Sequence, residues 1–246
     1  VSRKTQTARN FGICAFSAQQ NMTFVRNQWR VVSAMKLQIC ILLKKIVSLY
    51  YKQKSLSIYK LNTMIKEALK FYNDFPKKGI IFVDIIPLLQ DKKVFAELMS
   101  EIGNRVTAPN VIAPEARGFL FTAPLMISKN EVENIIPIRK SGKLPYNEGD
   151  LCDVEVMKEY GADHLYYRLS DIAASRVGDD GKIHLTIIDD VLATGGTAEG
   201  IAKSILSNKV MKDGVEREVV IDEFVFLVEL DDLKGASLLE KIAPVK

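Results

Sequence analysis

The stretch Ile183-His184-Leu185-Thr186-Ile187-Ile188-Asp189-Asp190-Val191-Leu192-Ala193-Thr194-Gly195-Gly196-Thr197 runs an apolar strand pattern directly into a helical one. Two adjacent glycines let the backbone turn tightly, so that several N–H groups converge where the next helix carries its partial positive charge. The hydroxyls of Thr194 and Thr197 add donors, and Ala193 completes the loop. Such a site suits a phosphate monoester. Asp189 and Asp190 would repel a phosphate, but they suit the acceptance of hydrogen bonds from vicinal hydroxyls. A phosphate beside paired acceptors on one loop describes a ribose 5-phosphate. Two glycines alone would mark only a turn; the apolar strand, paired Asp and paired Thr together make the case.

The elements that must position this loop alternate along the chain. Ile65, Ala68, Leu69 and Tyr72 recur at helical spacing after a cap at Asn62 or Thr63. Phe75-Pro76-Lys77-Lys78-Gly79 breaks that helix, and Ile80-Ile81-Phe82-Val83 reads as an extended segment ended by Pro87. Asp91 opens a second helix with a buried stripe of Phe95, Leu98, Met99, Ile102 and Val106. Apolar runs at Val111–Ala113, Asn134–Ile138, His164–Leu169, Ile183–Ile188 and Ile221–Leu230 then alternate with helices near Phe119–Ser128 and Thr197–Ser207. This alternation predicts an α/β fold, a mostly parallel twisted sheet flanked by helices, with ligand beyond the carboxyl ends of the strands. After Leu227–Leu230 and Leu233-Lys234-Gly235 no closing strand is legible.

Charge divides the chain. It has 34 basic and 30 acidic residues in 246. Residues 1–62 hold eleven Lys or Arg and no acid, so the remainder is net acidic. The first 62 residues read as a basic extension that is disordered, a targeting segment, a nucleic-acid-binding arm, or sequence preceding a start at Met64. Residues 63–246 read as the functional domain, with a small N-terminal hood at about 63–90. Cys14, Cys40 and Cys152 are odd in number and lack histidines at metal-ligand spacing, which argues against disulfides and zinc and favours a reducing compartment. Ile39–Leu43 is too short to span a bilayer before Lys44 and Lys45, so no membrane partner is expected.

The sugar loop is similar to that of the type I phosphoribosyltransferases, and over most of residues 64–240 the chain resembles the adenine phosphoribosyltransferases among them. Phe75–Ile85, Glu115-Ala116-Arg117-Gly118-Phe119, Arg139–Pro145 and Glu159-Tyr160-Gly161 carry the resemblance in family order. It implies a type I phosphoribosyltransferase fold with an N-terminal hood. It also implies transfer of the 5-phosphoribosyl group from phosphoribosyl diphosphate to adenine, giving AMP and diphosphate in purine salvage. Asp189, Asp190, Ala193, Thr194, Gly195, Gly196 and Thr197 would hold the ribose phosphate. Glu115, Ala116, Arg117, Arg139, Lys140 and Lys143 would hold the diphosphate, the first two through backbone amides beside a non-proline cis bond. Ile81, Phe82, Val191 and Leu192 would hold adenine. Glu159 would be catalytic, exchanging a proton with the imidazole edge of the base, and Tyr160 would line a lid spanning Tyr146–Ala162. Mg2+ is expected on the diphosphate through water, with no direct protein ligand. A cytoplasmic homodimer is expected, or an organellar one if the extension is a transit peptide.

Taken singly, Arg139–Lys143 would be a solvated basic turn, Phe82 a core residue and Glu159 an exposed carboxylate. Val83 departs from the resemblance, which has arginine there, and Lys158 stands where an apolar residue is usual. Two other functions share the sugar loop. A xanthine or hypoxanthine phosphoribosyltransferase would present a donor to a 6-oxo group. A regulator would sense phosphoribosyl diphosphate while the basic arm bound nucleic acid. The hood segment favours adenine, and Glu159 with the diphosphate donors favours catalysis over nucleic-acid binding.

Overall fold

A computed structural model describes residues 63–246 apart from 130, 159 and 160, only the backbone of 157, 158, 161 and 162, and a few residues between 44 and 52. Its contacts divide the chain into Val1–Asn62 and Thr63–Lys246. The expectations for the basic extension lie almost wholly outside the described residues. Among these, no helix is long and apolar enough to cross a membrane.

The second unit is built on a six-stranded sheet in the order β10-β7-β3-β4-β6-β5. The strands are β3 (Asn110–Pro114), β4 (Asn134–Lys140), β5 (Leu151–Lys158), β6 (Gly161–Arg168), β7 (Ile183–Leu192) and β10 (Val219–Glu229). The first four in spatial order are parallel, and β6 and β5 continue antiparallel. All five residues of β3, Asn-Val-Ile-Ala-Pro, are buried, as expected for a central parallel strand covered on both faces. One face carries α2 (Ile86–Gln90), α3 (Lys92–Arg105) and α4 (Phe119–Ser128); the other carries α5 (Leu169–Ala173), α6 (Gly196–Ser207) and α7 (Gly235–Leu239). Two apolar cores result. Leu98, Ile102, Phe121 and Ile188 lie in one, and Ile136, Leu185, Ile201 and Phe224 in the other.

Local chemistry accounts for the element ends. Asp91 caps α3, its carboxylate accepting from Lys93 N at 2.8 Å and Val94 N at 3.1 Å. The α3 stripe is buried as the spacing predicts, except that Phe95 is only partly covered. The expected first helix stops early: residues 63–68 (α1) are helical, and Tyr72 instead lies in β1 (Lys70–Asn73), paired antiparallel with β2 (Ile81–Asp84). Helical spacing over four apolar residues could not reveal that a partner strand would capture the last of them. Pro87 does not end an extended segment; it sits in the first turn of α2, where its missing N–H costs nothing. A short closing contact also exists, with Val245 bridging Phe224 in parallel and Lys246 N donating to Phe224 O at 2.9 Å.

Candidate active site

Parallel pairing of β7, β3 and β4 brings the ends of all three strands, and the loops after them, to one edge of the sheet. At the end of β7, Gly195 adopts φ +81°, a left-handed conformation that glycine tolerates, and α6 begins at the next residue. Residues Asp189 and Val191–Ala198 enclose a cavity of about 90 Å³, the scale of a phosphate group. Phe226 also lines it. The sequence reading missed this residue because only the β10–β7 register, which sets Phe226 opposite Asp189, brings it there.

The acidic pair is asymmetric. Asp190 is 3% exposed, and its backbone N–H donates to Asp189 Oδ1 at 2.9 Å. Arg117 Nε lies 2.9 Å from Asp190 Oδ2, yet its N–H is not aligned on that oxygen, which remains buried without a hydrogen bond. Asp190 Oδ2 thus keeps lone-pair capacity beyond its ion pair with Arg117. Burial, and then the neighbouring Asp190 carboxylate, push Asp189 up to about 8. In the unfolded chain Asp189 would titrate near about 3.9. Between those values the folded state keeps a proton that the unfolded state releases, so stability falls as pH rises from about 4 to about 8. Asp189→Asn is therefore expected to melt like wild type near pH 4 and a few degrees higher at pH 8, as thermal scans across that range would measure. A constant difference would refute the raised value.

The loop after β3 carries a cis peptide between Glu115 and Ala116, as the resemblance implies. Its side chains are held by other protein groups. The Glu115 carboxylate does not face an anion: it accepts from Arg139 Nε at 2.5 Å and lies 3.4 Å from Lys143 Nζ. Burial would raise this carboxyl, but the hydrogen bond from Arg139, the Lys140 backbone and the Lys143 charge together hold it below the usual carboxylate range. Glu115 thus orients two cations, and its own backbone N–H, expected on the diphosphate, is instead donated to Ile138 O at 2.9 Å. Arg117 is also engaged within the protein. It pairs with Asp190, donates to the Val83 carbonyl at 3.0 Å and lies 5.2 Å above the Phe82 ring. The departure at Val83 gains a role here: its side chain is buried and its carbonyl anchors Arg117. Lys140 is exposed at the end of β4, beside half-buried Arg139.

In the hood, Ile81 is exposed at the start of β2 and Phe82 is half-buried, edge-on to Phe75 at 5.2 Å. Val191 is partly buried and packs against the core. Leu192 does not fit the expectation. It is 1% exposed and packs against the buried Gly235. The expected lid is mostly strand, since β5 pairs with β6 along its whole length with Val154 and Val156 buried. At the base of this hairpin, Asp150 accepts from Ser170 N and Ser170 Oγ, both at 2.8 Å. Glu159 and Tyr160 lie outside the described residues.

No protein-family model matches the chain. It is 36% identical over 183 residues, 72% of its own length and 94% of the relative's, to the adenine phosphoribosyltransferase of Maridesulfovibrio salexigens. The chain belongs to the adenine phosphoribosyltransferase family. Solved structures of family members agree. The Saccharomyces cerevisiae enzyme, complexed with an imino-altritol bisphosphate and adenine, superposes with a TM-score of 0.61 at 30% identity, covering 76% of this chain and 98% of that one. The Thermoanaerobacter pseudethanolicus enzyme gives 0.58 at 35% identity, covering 75% and 98%.

Proposed function

We propose that this protein transfers the 5-phosphoribosyl group of phosphoribosyl diphosphate to adenine, releasing AMP and diphosphate. The observation that carries this reading is the shared sheet edge. The phosphate loop and the open Asp190 oxygen end β7, and the Arg139–Lys143 cations, fixed by Glu115, follow the neighbouring strands.

The 5-phosphate lies on the amides of Thr194–Thr197, and the ribose hydroxyls bond to the Asp189–Asp190 pair. The bond from C1′ to the diphosphate oxygen breaks as the bond to a ring nitrogen of adenine forms. Arg139 and Lys143, with Lys140 beside them, take up the charge that grows on the leaving diphosphate. Phe82 and Val191 enclose the base, and Glu159 accepts the proton that its imidazole edge sheds. Among the described residues no three carboxylate, His or Cys groups converge to hold a metal. Mg2+ held through diphosphate oxygens and water would supply further neutralisation of the leaving group's charge. A homodimer is part of this reading. The exposed Leu120, Met126 and Ile127 of α4 support it.

The test is AMP formation by the full chain from adenine, Mg2+ and phosphoribosyl diphosphate, with hypoxanthine and guanine in parallel. Turnover selective for adenine is expected. Glu159→Gln should lower kcat by about 10²- to 10⁴-fold, the range of a general acid–base group, with little change in substrate affinity. Equal rates with hypoxanthine would overturn the choice of base.

A further inference from the structure

The phosphate loop rests on backbone as well as on side chains such as Phe226. Behind it runs the turn from Leu230 into α7, and the two segments meet backbone against backbone. Leu230 N donates to Leu192 O at 2.9 Å, and the intervening Asp231–Leu233 forms a single 3-10 turn that Lys234 closes with φ +53°. A Cβ on Gly235 would stand 2.8 Å from Leu192 Cδ1 and 2.9 Å from Leu192 Cγ, with the Ala193 carbonyl oxygen closer still. From the other side, a Cβ on Gly195 would stand 3.0 Å from the Gly235 carbonyl oxygen and 3.4 Å from Leu239 Cγ. Gly235 and Leu239 are both buried. Main-chain atoms cannot rotate out of the way as a flexible side chain can, so contact at this spacing passes directly into the position of Ala193–Gly195.

We infer that Gly235 and Leu239 are positioning residues for the 5-phosphate subsite: together they form the floor that sets where the amides of Thr194–Thr197 point. The inference rests on the phosphoribosyl reading of that loop. A cradle of N–H donors binds an anion well only when its donors converge, and a displacement of about 1 Å is enough to cost much of the binding. Gly235→Ala pushes the Ala193 carbonyl outward; Leu239→Ala removes the support beneath Gly195.

The test is calorimetric titration of the full chain with ribose 5-phosphate, below the melting temperature of every variant. Ile172→Ala serves as the control, since Ile172 is fully buried in α5 and plays no part in this contact. Gly235→Ala should bind about 10-fold or more weakly and Leu239→Ala about 3- to 10-fold more weakly, by the misplacement argument above. Ile172→Ala should bind like wild type even where it melts lower. In turnover assays, Gly235→Ala should raise KM for phosphoribosyl diphosphate more than it alters KM for adenine. If Gly235→Ala does not fold, Leu239→Ala against Ile172→Ala carries the comparison. Wild-type affinity in the floor variants, or losses that track melting temperature across all of them, would overturn the inference while leaving the proposed reaction intact. A wild-type protein that binds no ribose 5-phosphate would overturn the cradle and the inference together.

Discussion

Asp190→Ala is expected to lower kcat/KM for phosphoribosyl diphosphate by about 100- to 1,000-fold while leaving the melting temperature within a few degrees of wild type. The loss follows from the open acceptor. Asp190 is 3% exposed, and its Oδ2 pairs with Arg117 without an aligned hydrogen bond, so it retains the capacity to accept from a ribose hydroxyl. Hydrogen bonds to charged groups contribute about 1.5–3 kcal/mol each, so one strong or two weak ones account for the expected factor, which corresponds to about 2.7–4.1 kcal/mol. Stability should survive for two reasons. The Arg117 side chain is 37% exposed, so water can replace the lost ion pair. Removing Asp190 also relieves the repulsion that raises Asp189. Steady-state kinetics with a parallel melting curve would decide the matter: a fall in kcat/KM of less than about fivefold would mean that the sugar is held elsewhere.

Glu223→Ala should do the opposite, destabilising the fold without touching the site. Glu223 is 1% exposed in β10, yet its carboxylate accepts from Thr107 N at 2.8 Å, from the hydroxyls of Thr107 and Thr186, and from Lys246 Nζ at 3.3 Å. Alanine would leave the wholly buried Thr186 hydroxyl and the Thr107 N–H without their acceptor. Breaking a buried charged network in this way costs about 3–5 kcal/mol. For a domain of this size that lowers the melting temperature by roughly 2–4 °C per kcal/mol. Burial alone would raise the Glu223 carboxyl, but the two threonines and Lys246 hold it below the ordinary value. A depressed folded value means that its contribution is present above about pH 4.3 and is lost as pH falls further. The gap between wild type and Glu223→Ala should therefore narrow in acid. A gap independent of pH would show that packing, not the ionised carboxylate, accounts for the loss.

Much of the site was legible because its chemistry is local. The phosphate loop needs two adjacent glycines, flanking hydroxyls and a strand-to-helix junction, all consecutive from Asp189 to Thr197, and periodicity alone locates that junction. The same holds for the strands at Val111–Ala113 and Asn134–Ile138, for α4 and for the Asp91 cap. What was misread involves partners distant in sequence. The segment Tyr146–Ala162 looks like an open loop because Asp153, Glu155 and Lys158 interrupt it. Its alternate residues Cys152, Val154 and Val156 become a strand only where β6 pairs with them. Leu192 looked available to a base because it follows Val191, but its side chain turns into the core against Gly235.

The amino-acid sequence by itself determined the reaction class and the order of the parts, since glycine loops, capped helices and apolar strands are set by neighbours within a few residues. Tertiary structure alone decided which charges those parts meet. It set Arg117 beside Asp190, made Glu115 the holder of Arg139 and Lys143, and placed Phe226 and Gly235 against a loop some thirty to forty residues earlier in the chain. The physical reason is that electrostatic and steric contacts depend on distance in space. Spacing along one strand or helix fixes that distance only for residues close in the chain, and sheet register fixes it for the rest.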